Sequence, residues 1–126
     1  MPNPLSVLIV DDEVELASLF KDYFEANGMD AVSFTNPLLA LEYFKDNQNR
    51  LSLVITDLRM PGIYGLELAN KIRELNNSIK IFLMTAFDTD ELENNETYQS
   101  AKINRIVQKP IKLSVLKKII EETFSN

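Results

Sequence analysis

The stretch Val7-Leu8-Ile9-Val10-Asp11-Asp12-Glu13 decides how the rest of the chain is read. Four consecutive apolar residues, three of them β-branched, are too few for a helix. They suit a strand covered on both faces, as in a parallel sheet. The run then breaks on two carboxylates, which belong at the end of a strand and not inside a core. The same pattern recurs downstream. Leu53–Thr56 meets Asp57, Ile81–Met84 meets Thr85-Ala86, and Arg105–Gln108 meets Lys109-Pro110. Together with Ser6–Val10 and Ala31–Phe34, these runs predict five strands.

Amphipathic stretches fill the intervals. Val14 to Asn27 sets Leu16, Leu19, Phe20, Tyr23 and Phe24 on one stripe and stops at Asn27-Gly28, a common helix C-terminal pair. Asn36-Pro37 reads as the N-cap and first residue of a second helix through Leu38, Leu41, Tyr43 and Phe44. Leu66, Leu68, Ala69, Ile72 and Leu75 mark a third, and Leu113, Leu116, Ile119, Ile120 and Phe124 the last. Asp88–Ser100 is poorer, with only Leu92 and Tyr98 as sizeable apolar residues, and predicts a short, loosely docked helix. Repeated β–α alternation implies a parallel sheet with helices on both faces and right-handed crossovers. The expected fold is a single α/β domain over residues 1–126, doubly wound, with the flavodoxin-like strand order 2-1-3-4-5.

Composition narrows the chemistry. The 126 residues hold 19 acids against 13 bases, a net charge of -6, and neither Cys nor His. Disulfides, thiol nucleophiles, histidine acid–base catalysis and histidine or cysteine metal ligands are thereby excluded. The acidic balance argues against direct nucleic-acid binding, and no apolar run reaches membrane-spanning length. A cytoplasmic location without membrane attachment is the expectation.

In an open parallel sheet, ligands bind beyond the carboxyl ends of the strands, where strand order reverses. For order 2-1-3-4-5 that point lies between strands 1 and 3. Asp12 and Asp57 would face each other across it, with Thr85 and Lys109 alongside. Crowded carboxylates repel one another unless a cation joins them, and oxygen-only donors suit a hard ion such as Mg²⁺. A carboxylate beside such a metal can attack a phosphoryl group, while an ammonium balances charge on the transferring oxygens. Each residue also has a plainer reading: Asp12-Glu13 as first-turn acids, Asp57 and Thr85 as turn residues, Lys109 as a solvated lysine. Those readings would have to hold at four sites on one edge of the sheet.

The set Asp11-Asp12-Glu13, Asp57-Leu58-Arg59-Met60-Pro61-Gly62 with Gly65, Thr85-Ala86 and Lys109-Pro110 resembles a two-component response-regulator receiver (CheY-like) domain, over essentially the whole chain. The resemblance implies Asp57 as phosphoacceptor. Mg²⁺, or Mn²⁺ in its place, would be ligated by Asp12, Asp57 and the Arg59 backbone carbonyl, and by Asp11 through water. It further implies that Lys109 pairs with the phosphoryl group, that Thr85 moves in to hydrogen-bond it, and that the Lys109–Pro110 peptide is cis. A sensor histidine kinase or phosphotransfer protein would supply the phosphate, and an unspecified protein target would read it. Receivers also catalyse some of their own phosphorylation and hydrolysis, and often pair through the last two helices and the strand between them.

Three positions depart from the family pattern. Ile106 stands where receivers commonly carry Tyr or Phe, so the usual aromatic swing coupled to Thr85 is missing. Ile111 replaces the more usual Phe after Lys-Pro, and Lys102-Ile103-Asn104 replaces a Gly-Ala ahead of the last strand. Arg59 and Phe87, two past Asp57 and Thr85, would border the path of an attacking water and modulate phosphoryl lifetime. Two other readings stay open. A haloacid-dehalogenase-type aspartyl phosphatase expects Asp-x-Asp after its first strand and would turn over phosphate esters. A phosphorylation-independent interaction module would keep the fold without responding to an acyl-phosphate mimic. The acids Asp88, Asp90, Glu91, Glu93 and Glu96, with no base among them, form a second acidic stretch that a basic partner surface would complement.

Overall fold

The computed structural model describes residues 4–60, 65–86 and 96–125. Its order is β1 (Ser6–Val10), α1 (Val14–Ala26), β2 (Asp30–Phe34), α2 (Pro37–Asn47), a 3-10 turn (Gln48–Arg50), β3 (Leu53–Asp57), α3 (Gly65–Leu75), β4 (Lys80–Thr85), α4 (Glu96–Ala101), β5 (Arg105–Gln108) and α5 (Leu113–Phe124). All pairings are parallel and the strand order is β2-β1-β3-β4-β5. The expected doubly wound flavodoxin-like fold is the observed one.

Side chains alternate across the central strands, as strand geometry requires. Leu8, Val10, Val54, Ile81 and Leu83 join the core shared with α2, α3 and Ala101 of α4. Val7, Ile9, Leu53, Ile55, Phe82, Met84 and Val107 join the opposite core, under α1 and α5. β1, β3 and β4 are therefore buried on both faces, which is why their sequences are unbroken apolar runs.

Each helix docks through a narrower stripe than its composition suggests. In α1 the buried residues are Ala17, Phe20 and Phe24, whereas Leu19, expected on that stripe, is 51% exposed. In α2 the Asn36 carboxamide accepts from the amides of Leu38 and Leu39, fixing the first turn so that Pro37, Ala40, Leu41 and Phe44 face inward. Leu38 then points outward at 59% exposure, a correction that follows from the cap. Leu75, the last residue of α3, is also exposed. The turn after α1 passes through Gly28 at φ 86°, the left-handed region in which glycine carries no Cβ penalty. Of the predicted Asp88–Ser100 helix, the structure describes α4 from Glu96 to Ala101; residues 88–95 lie outside the described residues. No helix among the described residues is long and apolar enough to cross a membrane.

Candidate functional site

Strand register assembles the site. Val10 pairs with Thr56 and Thr85 with Gln108, so the residues that follow, Asp11, Asp57, Ala86 and Lys109, emerge together at the carboxyl edge. Asp11 is fully buried and Asp57 nearly so, while Asp12 is partly exposed. One carboxylate oxygen from each of Asp11, Asp12 and Asp57 falls within 4.8 Å of the others. Three acids at that spacing, in a chain without histidine or cysteine, fit a hard divalent cation.

Each group is held by an identifiable bond. The Asp11 amide donates to the Phe34 carbonyl at 3.1 Å, and its Oδ1 accepts from the Glu13 amide at 2.9 Å. Asp57 Oδ1 accepts from the Leu58 amide at 3.1 Å. Lys109 Nζ lies 3.1 Å from Asp11 Oδ2 and 3.5 Å from Asp57 Oδ1, bridging two strand ends. The Lys109 amide donates to the Thr85 carbonyl at 2.8 Å, and the following Lys109–Pro110 peptide is cis. Thr85 is 1% exposed. Asp12, Glu13, Asp57, Arg59, Thr85, Ala86 and Lys109 line a cleft of about 240 Å³.

The electrostatics follow from this packing. Burial pushes the Asp57 carboxyl up to about 6; Lys109 opposes the shift, and the Asp11 and Asp12 charges reinforce it. Burial alone would pull the Lys109 ammonium down, but the charge and hydrogen bond of Asp11, then the charge of Asp57, outweigh it and hold it above the ordinary lysine value. A desolvated nucleophile beside a fixed cation can accept an electrophile whose own oxygens carry negative charge.

Asp12, Asp57, Arg59, Thr85 and Lys109 all line the cleft, and buried Asp11 joins them through its closeness to Asp12 and Asp57 and its ion pair with Lys109. Ile106 is half-buried on β5, opposite Leu83 and away from the cleft lining. Phe87 lies outside the described residues, as do Pro61 and Gly62. Side-chain reasoning could not see the Leu58 amide, which holds Asp57 through the backbone. Glu13, quoted in the Asp11-Asp12-Glu13 motif but given no role beyond that of a first-turn acid, also lines the cleft. Its place directly after Asp11-Asp12 was the available signal.

Fold and site together define an open parallel α/β protein with a compact carboxylate–lysine centre at the reversal of strand order. Residues 7–121 match the family model described as response regulator receiver domain, and the chain belongs to that family. It is 35% identical over 117 residues to the sensor protein EvgS of Escherichia coli, a match covering 93% of this chain and 9% of that protein. The chain thus spans about a tenth of the length of that relative. The Thermotoga maritima response regulator TrrA, solved in complex with Mg(2+)-BeF, superposes with a TM-score of 0.78 at 30% identity, covering 94% of this chain and 97% of that one. A receiver domain protein from Clostridium thermocellum gives a TM-score of 0.83 at 22% identity, covering 94% and 92%.

Proposed function

We infer that this chain is the phosphoacceptor switch of a two-component system, folded as one receiver domain over residues 1–126. The observation that carries the reading is the convergence of Asp11, Asp12 and Asp57 within 4.8 Å, with Lys109 joined to two of them. Family membership supports it.

The cation is Mg²⁺, with Mn²⁺ a substitute. Asp12, Asp57 and the Arg59 carbonyl would hold it directly and Asp11 through water, and it would supply positive charge to the phosphoryl oxygens. The residues of the chain perform the rest. A carboxylate oxygen of Asp57 attacks phosphorus, the bond from phosphorus to the donor breaks, and an acyl phosphate remains on Asp57. Lys109, already drawn toward Asp57, pairs with the added phosphoryl group and offsets its charge. Thr85, on the adjacent strand end, donates its hydroxyl to a phosphoryl oxygen and so reports occupancy to the β4–α4 side. Arg59 and Phe87 modulate the attack of water. The donor is a sensor histidine kinase or phosphotransfer protein, and the reader is a protein target, with pairing of two copies through α4, β5 and α5 as one mode of readout. A cytoplasmic location follows from such partners.

Phosphorylation by acetyl phosphate with Mg²⁺, read by intact mass, tests the reading. One phosphoryl group should add to the wild type and none to Asp57→Asn. Sustained turnover of a phosphate ester would instead favour the phosphatase reading, and absence of labelling the interaction-module reading.

A further inference from the structure

Arg73 leaves α3 for the interior and is 8% exposed. Its Nε donates to the Ala101 carbonyl at 3.0 Å and its Nη2 to the Lys102 carbonyl at 2.9 Å. Its Nη1 donates to the Ile79 carbonyl at 2.7 Å. One guanidinium thereby ties the turn ahead of β5 to the residue ahead of β4. Lys102 sits at φ 50°, a left-handed conformation uncommon for a residue with a side chain. Its carbonyl is given over to Arg73, and the first contact of the incoming chain with β4 is made by Asn104.

Asn104 meets Ile81 twice. Its amide donates to the Ile81 carbonyl at 2.9 Å, and its Oδ1 accepts from the Ile81 amide at 2.8 Å. A side-chain oxygen thus takes the part that a main-chain carbonyl plays elsewhere in a parallel ladder. Arg73 Nη2, 3.4 Å from the same Oδ1, holds that carboxamide toward β4. Ile81 is fully buried, so its amide needs a partner from within the protein. The stretch that does this, Lys102-Ile103-Asn104, is one of those in which the chain departs from the family pattern.

Little else fixes the register of β5. It is four residues long, stands at the edge of the sheet and buries only Val107. Where so few side chains face a core, the apolar pattern specifies pairing weakly. The site nevertheless depends on that pairing. The register that begins with Phe82 opposite Arg105 ends with Thr85 opposite Gln108, and the next amide, that of Lys109, donates to the Thr85 carbonyl. A slip of one residue would displace the chain by about 3.3 Å and turn each side chain to the other face. Lys109 would then lose its contacts with Asp11 at 3.1 Å and Asp57 at 3.5 Å.

We propose that Asn104, oriented by Arg73, is the register pin of β5 and a positioning residue for Lys109. That the positioning serves phosphoryl transfer rests on the functional reading above; the pin itself does not.

Amide exchange and labelling on the full chain separate the two. Asn104→Ala removes the side-chain acceptor. In the unphosphorylated protein it should speed hydrogen exchange at the Ile81 and Lys109 amides by about tenfold or more, while amides of β1 and β3 stay within about twofold of wild type. Labelling of Asp57 by acetyl phosphate with Mg²⁺ should slow about tenfold in the same variant, because the fold is kept while Lys109 loses its placement. Asn104→Asp keeps an acceptor oxygen for both Ile81 and Arg73, and should return exchange and labelling to within about threefold of wild type. Arg73→Lys loses the fork of donors and should speed exchange at the same two amides. Asn104 is exposed, so its two variants carry the test even where the arginine variant fails to fold. Unchanged exchange at Lys109 in Asn104→Ala, or equal loosening of β1, β3 and β5, overturns the pin. Unchanged exchange in a folded Arg73→Lys protein overturns the part given to the arginine. Faster exchange with labelling at the wild-type rate, or no rescue by Asn104→Asp, overturns the positioning role. A wild-type protein that gains no phosphoryl group by mass counts against the functional reading and leaves the exchange data to decide the pin.

Discussion

Gly65 and Asp57 are packed backbone to backbone: a Cβ built on Gly65 would lie 1.9 Å from the Asp57 carbonyl oxygen. The Gly65 amide donates to the Leu58 carbonyl at 2.8 Å, so the start of α3 is welded to the strand end that carries the nucleophile. Nothing at this contact is the yielding tip of a side chain; every nearby atom is backbone. Gly65→Ala should therefore displace β3 or α3 and cost about 2–4 kcal/mol. Urea denaturation measures the loss. Phosphorylation by acetyl phosphate should fall in the same variant, because Asp57 moves with its carbonyl. A variant as stable and as readily labelled as the wild type would refute the assignment.

That contact also marks where sequence reading runs out. The five strands were legible because parallel strands buried on both faces leave unbroken apolar runs, as in Val7–Val10 and Leu53–Ile55. Asp11, Asp57 and Lys109 were legible because a charge directly after such a run can only stand at the strand end. Helix orientation was less so. Leu19 and Leu38 match the apolar period nearly as well as the residues that bury, and the choice is made by Ala17 and by the Asn36 cap. Gly65 could be quoted as part of a motif, but its need for hydrogen in place of Cβ depends on a contact eight residues away. Arg73 looked like an ordinary helix arginine; only its position four residues after buried Ala69 hinted that it faces inward.

The Asn36 cap supplies a control in the opposite direction. Its carboxamide satisfies two first-turn amides of α2, on the far side of the sheet from α1, and Asn36 is not among the residues lining the cleft. Asn36→Ala should destabilise the fold by about 1 kcal/mol. The rate of labelling at Asp57 should stay unchanged. A loss of labelling at full stability would show that α2 couples to the site in a way the packing does not contain.

The raised carboxyl of Asp57 predicts a pH dependence with a definite sign. Its value moves from 3.8 to about 6, so the native state prefers the protonated form. Metal-free protein is then stabilised by this group at low pH. The contribution is lost as pH rises from about 4 through about 6, and is absent above. Asp57→Asn removes the titration and with it the cost of burying the charge. At pH 7.5 in chelator the variant should be more stable than the wild type by on the order of 2 kcal/mol, and the difference should shrink toward pH 4.5. A wild-type-minus-variant difference that is flat across this window would dismiss burial as the cause.

Lys109 and a divalent cation draw on the same carboxylates. In the metal-free protein Lys109 is the internal counter-ion of Asp11, which has no exposure to water. Removing one partner of such a pair leaves a buried charge uncompensated. Lys109→Met should accordingly destabilise the chelated protein by about 3 kcal/mol. The same substitution takes a positive charge away from the cation site, where like charges disfavour each other. Mg²⁺ should then bind about tenfold more tightly, and the binding should restore part of the lost stability by mass action. Labelling by acetyl phosphate should nevertheless fall, because the ammonium that pairs with the phosphoryl group is gone while the metal is not. Titration calorimetry and intact mass on the one variant read the two effects separately. Weaker Mg²⁺ binding in Lys109→Met would mean that the lysine orders the carboxylates more than it competes for them.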